Sequence, residues 1–172
     1  SAEVQRAVEE MAALTGIRGK RIEGWPVEEM GAAGQEIVIG GFRDPQFGPI
    51  VMVGLGGIFV EVLEDVAFRL CPIGRADAEE MLAELKGRAL IEGARGRKPL
   101  DKAALIDALM KVGGEGGLLM QQPLIAELDI NPVLLGETGL MAVDARVILG
   151  PAPALEARSP VDRPLPLEHF RP

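Results

Sequence analysis

Tyrosine is missing from this chain of 172 residues, and all aromatic residues together make up 3% of it. A platform that stacks bases or sugar rings needs several aromatic faces, so that class of binding protein is excluded. Basic residues are in the minority, 18 Lys and Arg against 26 Asp and Glu, and the net charge is −8. Nucleic acid is held by a basic face, which this balance does not supply. The one cysteine, Cys71, has no partner for an internal disulfide, which suits a reducing cytoplasm. The one histidine, His169, sits close to the end of a proline-rich run, where a surface position is expected. No Ser/His/Asp or Cys/His set and no zinc-type spacing can be assembled, so hydrolase and structural-zinc chemistry drop out. No apolar run reaches the length of a bilayer, and no secretory signal opens the chain. It starts at Ser1 without an initiator methionine, which points to a piece processed or excised from something longer.

What the chain does have is a hydrophobic share of 48%, enough for one good core or two small lobes. The stretch Leu124 to Leu149 organises the reading. Leu124, Ala126, Leu128 and Ile130 alternate with Glu127, Asp129 and Asn131, the period of a strand. Gly136-Glu137-Thr138-Gly139 is a turn signal. Leu140 to Leu149 returns, with Met141, Val143, Ala145 and Val147 as its apolar set and Asp144 and Arg146 opposite. If the polar faces of this β-hairpin coincide, Glu127, Asp129, Asn131 and Asp144 crowd one patch beside a single Arg. Like charges at cross-strand distance repel, and a hard cation with a preference for oxygen, Mg²⁺ above all, relieves that repulsion. A merely solubilising wet face gives the same alternation. Pro132 predicts that the first strand bends or ends at the polar tip.

The rest of the chain reads as follows. Ala2 to Leu14 is an amphipathic surface helix with Val4, Ala7, Val8, Met11 and Leu14 as its stripe, ended by Gly16 and Gly19. Arg21 to Met30 is ambiguous, an edge strand being one reading. Gln35 to Arg43, Ile50 to Val53 and Asp65 to Pro72 read as strands. Gly54-Leu55-Gly56-Gly57 follows the second of these; it is either a tight turn or a loop that presents backbone N–H groups to an anion. It lacks the third glycine of a dinucleotide fingerprint. Glu61 and Arg69 sit in apolar surroundings, where a charge needs a partner or a task; a salt bridge between the two is the structural alternative. Asp77 to Ala89 is a helix on Met81, Leu82, Leu85 and Ala89, with Asp77 as N-cap and Glu80 closing a capping box. Ala94 to Lys98 is a basic loop. Leu100 to Val112 is a second helix on Ala104, Leu105, Ala108, Leu109 and Val112, stopped by Gly113 to Gly117, a flexible joint. From Gly150 the chain is proline-rich and aperiodic, as a linker or extended strap is.

Three of these segments together carry a family likeness. Arg43 to Ile73 (RDPQFGPIVMVGLGGIFVEVLEDVAFRLCPI), Gly93 to Asp101 (GARGRKPLD), and Glu127 to Pro132 (ELDINP) followed by Val143 to Arg146 (VDAR) resemble the ATP-grasp domain of ADP-forming acyl-CoA synthetases, relatives of acetate–CoA ligase and succinyl-CoA synthetase. Several motifs in the right order are far more specific than one. The likeness runs from Val4 to Leu149.

The resemblance implies the following. The fold is α+β, the C-terminal part of an ATP-grasp module, with a mostly antiparallel sheet and flanking helices; residues 1–149 form it and residues 150–172 are a tail. The activity is the reversible conversion of acyl-CoA, ADP and phosphate to acid, CoA and ATP through a phosphohistidine on another domain or subunit. Asn131, Asp144 and Asp129 match the family's Mg²⁺ contacts, with Asp129 also on the nucleotide side. Gly54, Gly56 and Gly57 face the phosphates of ATP or ADP, and Arg69 and Glu61 are the catalytic candidates. Nothing before Ser1 supplies the other nucleotide-binding portion, so the partners are the remaining ATP-grasp portion and a CoA-binding, histidine-bearing domain, and the isolated chain is expected to be inactive. The alternative is a non-catalytic regulatory or assembly module of a protein-lysine acetyltransferase, because the ending PLPLEHFRP resembles the linker into such a domain.

Overall fold

The computed structural model describes residues 1–57 and 65–150. They divide into two units, residues 1–31 and the remainder. In the first, helix α1 (Ala2–Ala12) forms as its spacing predicts. Val4 and Met11 of its stripe remain 41% and 38% exposed. Residues 21–30 form no strand, so the edge-strand reading of that stretch is corrected.

The second unit is one antiparallel sheet with helices on one face. Strand β1 (Gln35–Asp44) and strand β2 (Gly48–Leu55) make a hairpin. The carboxylate of Asp44 accepts from the N–H groups of Gln46 and Phe47, at 2.8 and 2.9 Å, the side-chain-to-backbone bonding that makes Asp a turn residue. Strand β3 (Val66–Leu70) pairs with β2. Then come helices α2 (Arg75–Glu84), α3 (Ala89–Glu92), a 3₁₀ turn (Ala94–Gly96), α4 (Lys102–Gly113) and α5 (Leu118–Gln121). Strands β4 (Ile125–Leu135), β5 (Leu140–Ala142) and β6 (Ala145–Leu149) close the chain. The strand order is β3-β2-β1-β4-β5, with β6 also on β4. The apolar segment from Ile58 to Leu63, with Glu61, and the tail from 151, with His169, fall outside the described residues.

Alternation decides which face is dry. Ile37, Ile39, Val51, Val53, Ala67 and Leu128 point to the helices, where Met81, Leu82, Leu85, Leu105, Leu109 and Leu119 meet them. Helix α2 lies against β3 and α4 against β1 and β2. The other face presents Phe42, Met52 and Phe68, and no helix covers it among the described residues.

Several local expectations are corrected. Helix α2 is capped at Gly74, not Asp77: the Asp77 carboxylate is at the third helical position and accepts from the Gly74 N–H at 2.7 Å. Helix α2 ends at Glu84, and Ala89 is exposed. The stop lies at Leu85, Lys86 and Gly87, because the buried Asp65 carboxylate accepts from the N–H groups of Lys86 and Gly87, at 2.7 and 2.8 Å. Of the glycine run at the end of α4, where a flexible joint is expected, Gly113, Gly114 and Gly117 pack closely, while Gly116 is open. Gly113 is buried, and a Cβ on it would lie 2.9 Å from the Val51 side chain; its carbonyl accepts from the Ile73 N–H at 2.9 Å. In β4 the buried residues are Ile125, Leu128, Val133 and Leu135, while Leu124 is 47% exposed. A register shift between Ile125 and Glu127 takes Leu124 and Ala126 off the expected face. At Pro132 the expectation holds: a bulge opposite Val38 supplies the bend, and the strand runs on beyond it to Leu135. The apolar set of the return strand is exposed throughout.

Candidate metal and nucleotide site

The hairpin forms, closed by the Gly136 N–H donating to the Gly139 carbonyl at 3.1 Å, but the return strand expected over Leu140 to Leu149 is interrupted at Val143 and Asp144, leaving β5 and β6 each paired with β4. Its turn is fastened to α4. The Asp101 carboxylate accepts from the Ala104 N–H at 2.9 Å and from the Gly139 N–H at 2.7 Å, and the Asp101 N–H donates to the Gly136 carbonyl at 2.9 Å. The N-cap of one element is thus also the clasp of the next. Lys98 and Glu137, 3.1 Å apart, add a second tie. The bond from the Ala104 N–H, then that from Gly139, hold the Asp101 carboxyl below its ordinary range. A lowered carboxyl pKa in the folded state stabilises the fold above the unfolded value, about 3.9 for Asp, and that contribution disappears as pH falls through the folded value. Asp101→Asn is therefore expected to flatten the acid limb of the stability curve below about pH 4, read by urea midpoints against pH; a parallel curve in the variant would contradict this.

Below the turn, Val133 pairs with Ala142, and farther along Ile130 pairs with Ala145 and Asp129 with Arg146. Continuing either register puts Asn131 opposite Asp144. The Asn131 N–H donates to the Asp144 carbonyl at 3.1 Å, and the Val143 N–H to the Pro132 carbonyl at 3.0 Å. Opposed residues of an antiparallel pair hold their Cβ atoms roughly 4.5–5.5 Å apart. Asp129 lies two residues before Asn131, on the same side, facing Gly40 across β1 and Arg146 across β6. Asn131 and Asp144 are both exposed. One Asp144 oxygen, Oδ1, accepts from the Ala145 N–H at 2.8 Å. No cluster of three or more His, Cys, Asp or Glu gathers to hold a metal among the described residues. The donor set here is therefore two opposed oxygen side chains, one amide and one carboxylate, with a second acid, Asp129, nearby.

Gly54 pairs with Val38, whose other neighbour is the bulge at Asn131. Two strand spacings of about 4.8 Å therefore separate the glycine loop from the hairpin oxygens. Packing already demands the glycines: a Cβ on Gly56 would sit 2.7 Å from that of Glu36, and Gly57 adopts φ +66°. The Gly56 N–H donates to the Glu36 carbonyl at 2.7 Å. Glu36, which the sequence reading did not single out, places its carboxylate against Gly57.

Arg69 is not brought to this group. It pairs with Val51, on the helix side of the sheet, where Nη1 donates to Glu84 at 3.0 Å, Nη2 donates to the second oxygen of the same carboxylate, and Glu80 lies 3.7 Å away. The hydrogen bond from Arg69 holds the Glu84 carboxyl below its usual range. Glu61 lies outside the described residues. Arg43 is also committed elsewhere: its guanidinium donates to the carbonyls of Ile125 at 2.8 Å, Gln122 at 3.0 Å, and Leu119. These are the last carbonyls of α5 and the start of β4, where a cation is favoured.

The open face carries a hollow of about 620 Å³ lined by Gly40, Phe42, Met52 and Phe68 at one side and Glu127, Asp129, Asn131 and Arg146 at the other. Phe42 and Phe68 meet edge to face, with centroids 6.4 Å apart.

The sequence model of the ATP-grasp domain matches residues 1–149. The chain belongs to the ATP-grasp domain of the ADP-forming acetyl-CoA synthetase family. It is 53% identical over 116 residues to acetate–CoA ligase [ADP-forming] I subunit beta of Pyrococcus furiosus, a match covering 67% of this chain and 49% of that one. A solved dinucleotide forming acetyl-coenzyme A synthetase 1 from Ca. Korarchaeum cryptofilum, in its apo form, superposes with a TM-score of 0.74 at 45% identity, covering 87% of this chain and 67% of that one. The same synthetase in complex with coenzyme A and Mg-AMPPCP gives 0.65 at 48% identity, covering 70% and 55%. The ATP-grasp chain described here spans about half the length of the curated subunit it matches. No helix among its described residues is long and apolar enough to cross a membrane.

Proposed function

We propose that this chain is the magnesium–nucleotide half-site of an ADP-forming acyl-CoA synthetase, with Asn131 and Asp144 sharing one Mg²⁺ and Asp129 flanking it. The opposed placement of Asn131 and Asp144 across the last hairpin is the observation that carries the reading. The donor set fits the ion. Magnesium binds oxygen at about 2.0–2.1 Å and is held by one or two protein groups plus phosphate and water, and two opposed oxygen side chains leave those positions to the nucleotide. When bound, the ion neutralises charge on the phosphates, which is most of what phosphoryl transfer asks of a site. The chain's own residues do the positioning. Asp101 and the Lys98–Glu137 pair fix the hairpin, and Gly54, Gly56 and Gly57 form the wall on the phosphate side, with Glu61 in the segment beyond them. Arg69 is assigned to holding α2 on the sheet.

The activity proposed for the whole protein is the conversion of acyl-CoA, ADP and phosphate to acid, CoA and ATP. It needs a histidine-bearing, CoA-binding partner and the other part of the ATP-grasp module, with residues 150–172 as a linker. Mg-AMPPCP in the Korarchaeum relative supports the nucleotide assignment.

The test is a titration with Mn²⁺ as the probe, followed by water-proton relaxation. Asp144→Asn and Asn131→Ala are each expected to weaken Mn²⁺ binding about tenfold or more, equivalent to about 1.4 kcal/mol, at unchanged thermal midpoint. Equal Mn²⁺ affinity in both variants would overturn the assignment. In an intact synthetase carrying this chain, the same substitutions should abolish ATP formation.

A further inference from the structure

Arg146 is the one basic side chain lining the open-face hollow that the structure leaves uncommitted. It stands directly across from Asp129 on β4 and borders the hollow together with Glu127, Asp129 and Asn131. The other cation there, Arg43, is spent on three backbone carbonyls. No ion pair or hydrogen bond of Arg146 is found among the described residues, although Asp129 faces it across the strand pair and Glu127 lines the same hollow. A guanidinium that served only to neutralise Asp129 would gain most by forming a forked pair with it, since Arg matches carboxylate geometry with two parallel bonds. Its fork is instead free beside the proposed metal pair, two residues along the strand from Asp144.

Resting on the reading above, we infer that Arg146 is a substrate-contacting residue: it takes a phosphoryl oxygen of the nucleotide whose magnesium is held by Asn131 and Asp144. Phosphate is the ligand class that fits. Its oxygens accept the fork in the same way a carboxylate does, and an Arg placed next to a bound cation is itself repelled by that cation unless an anion lies between them.

The arrangement predicts effects of opposite sign, which a structural or merely neutralising residue cannot produce. Without nucleotide, Arg146 opposes a nearby divalent ion, so Arg146→Gln should bind free Mn²⁺ about threefold to tenfold more tightly. With nucleotide, the same change removes a charge-assisted contact, and Mn·ADP should bind about tenfold or more weakly. Arg146→Lys keeps the charge but not the fork; it should restore wild-type Mn²⁺ affinity while recovering only part of the Mn·ADP affinity. The experiment is a pair of titrations of the whole 172-residue chain, with MnCl₂ alone and with Mn·ADP, on wild type, both Arg146 variants and Asp144→Asn. Opposite shifts in Arg146→Gln, with Asp144→Asn weakening both ligands, establish the contact. If Asp144→Asn weakens Mn²⁺ but Arg146→Gln moves both ligands the same way or neither, the contact is wrong and the metal assignment stands. If Asp144→Asn leaves Mn²⁺ unaffected, the metal assignment falls and the contact falls with it.

Discussion

Asp65→Ala is expected to destabilise the protein by about 2–5 kcal/mol, because it strips the acceptor from two N–H groups at once. Asp65 is 3% exposed and is the one charged residue among the described buried set. Its two oxygens take the Lys86 and Gly87 N–H groups, at 2.7 and 2.8 Å. Those donors lie just beyond helix α2, where the chain has left the helix and gained no ladder to bond with. Leaving a part-buried donor without a partner costs about 1–3 kcal/mol, and the void left by the carboxylate adds to it. The turn is closely packed on the core, since a Cβ on Gly87 would sit 2.3 Å from the Leu55 Cδ1 methyl. Asp65→Asn should fall between wild type and Asp65→Ala, because an amide accepts with one atom and confronts the second N–H with another donor. Urea unfolding at constant slope is the measurement. A shift of Asp65→Ala within about 0.5 kcal/mol, the scale of an ordinary surface change, would show that water replaces the carboxylate.

Gly93→Ala should cost about as much, for a different reason. Gly93 adopts φ +88° and ψ +46°, a left-handed conformation that costs a residue with a Cβ about 1–2 kcal/mol. The added methyl would also lie 2.6 Å from the Arg97 carbonyl oxygen and 2.7 Å from the Pro99 nitrogen. Both are backbone atoms of the knot that delivers Asp101 to the hairpin turn, so relief requires moving the clasp itself. Overpacking of this kind adds about 1–3 kcal/mol. Gly96 is the internal control: its φ is +79°, but nothing lies within 4 Å of its would-be Cβ. Gly96→Ala should therefore show only the conformational part. Comparable losses in the two variants would mean that the knot yields freely.

Helices and strands with one wet and one dry side were legible because burial imprints its period on the chain. That is why Gln35 to Arg43 and the helix over Leu105, Leu109 and Val112 stand close to where periodicity places them. Ends were less legible. The stop after Glu84 depends on a carboxylate some twenty residues upstream in Asp65, and no local signal announces it. At the site, Asp129, Asn131 and Asp144 were visible as acids and an amide on one side of a hairpin pattern, and the hairpin does bring Asn131 and Asp144 opposite one another. Arg69 shows the reverse. Its apolar neighbours gave no hint that Glu84 and Glu80 on α2 would claim it, since α2 meets β3 only through the tertiary fold.

The sequence by itself determined the α+β class, the final hairpin and its turn, and the oxygen-bearing residues placed along it. These are local matters, fixed by side-chain period and by the residues a turn requires. Only the tertiary structure decided which charges have partners. Arg43 and Arg69 are occupied, Asp65 and Asp101 serve as clasps, and Arg146 stands open beside Asp129. The reason is that an ion pair or a clasp is a contact between elements brought together by packing, and its cost or benefit depends on burial and distance, neither of which is written in the spacing of residues along a single strand.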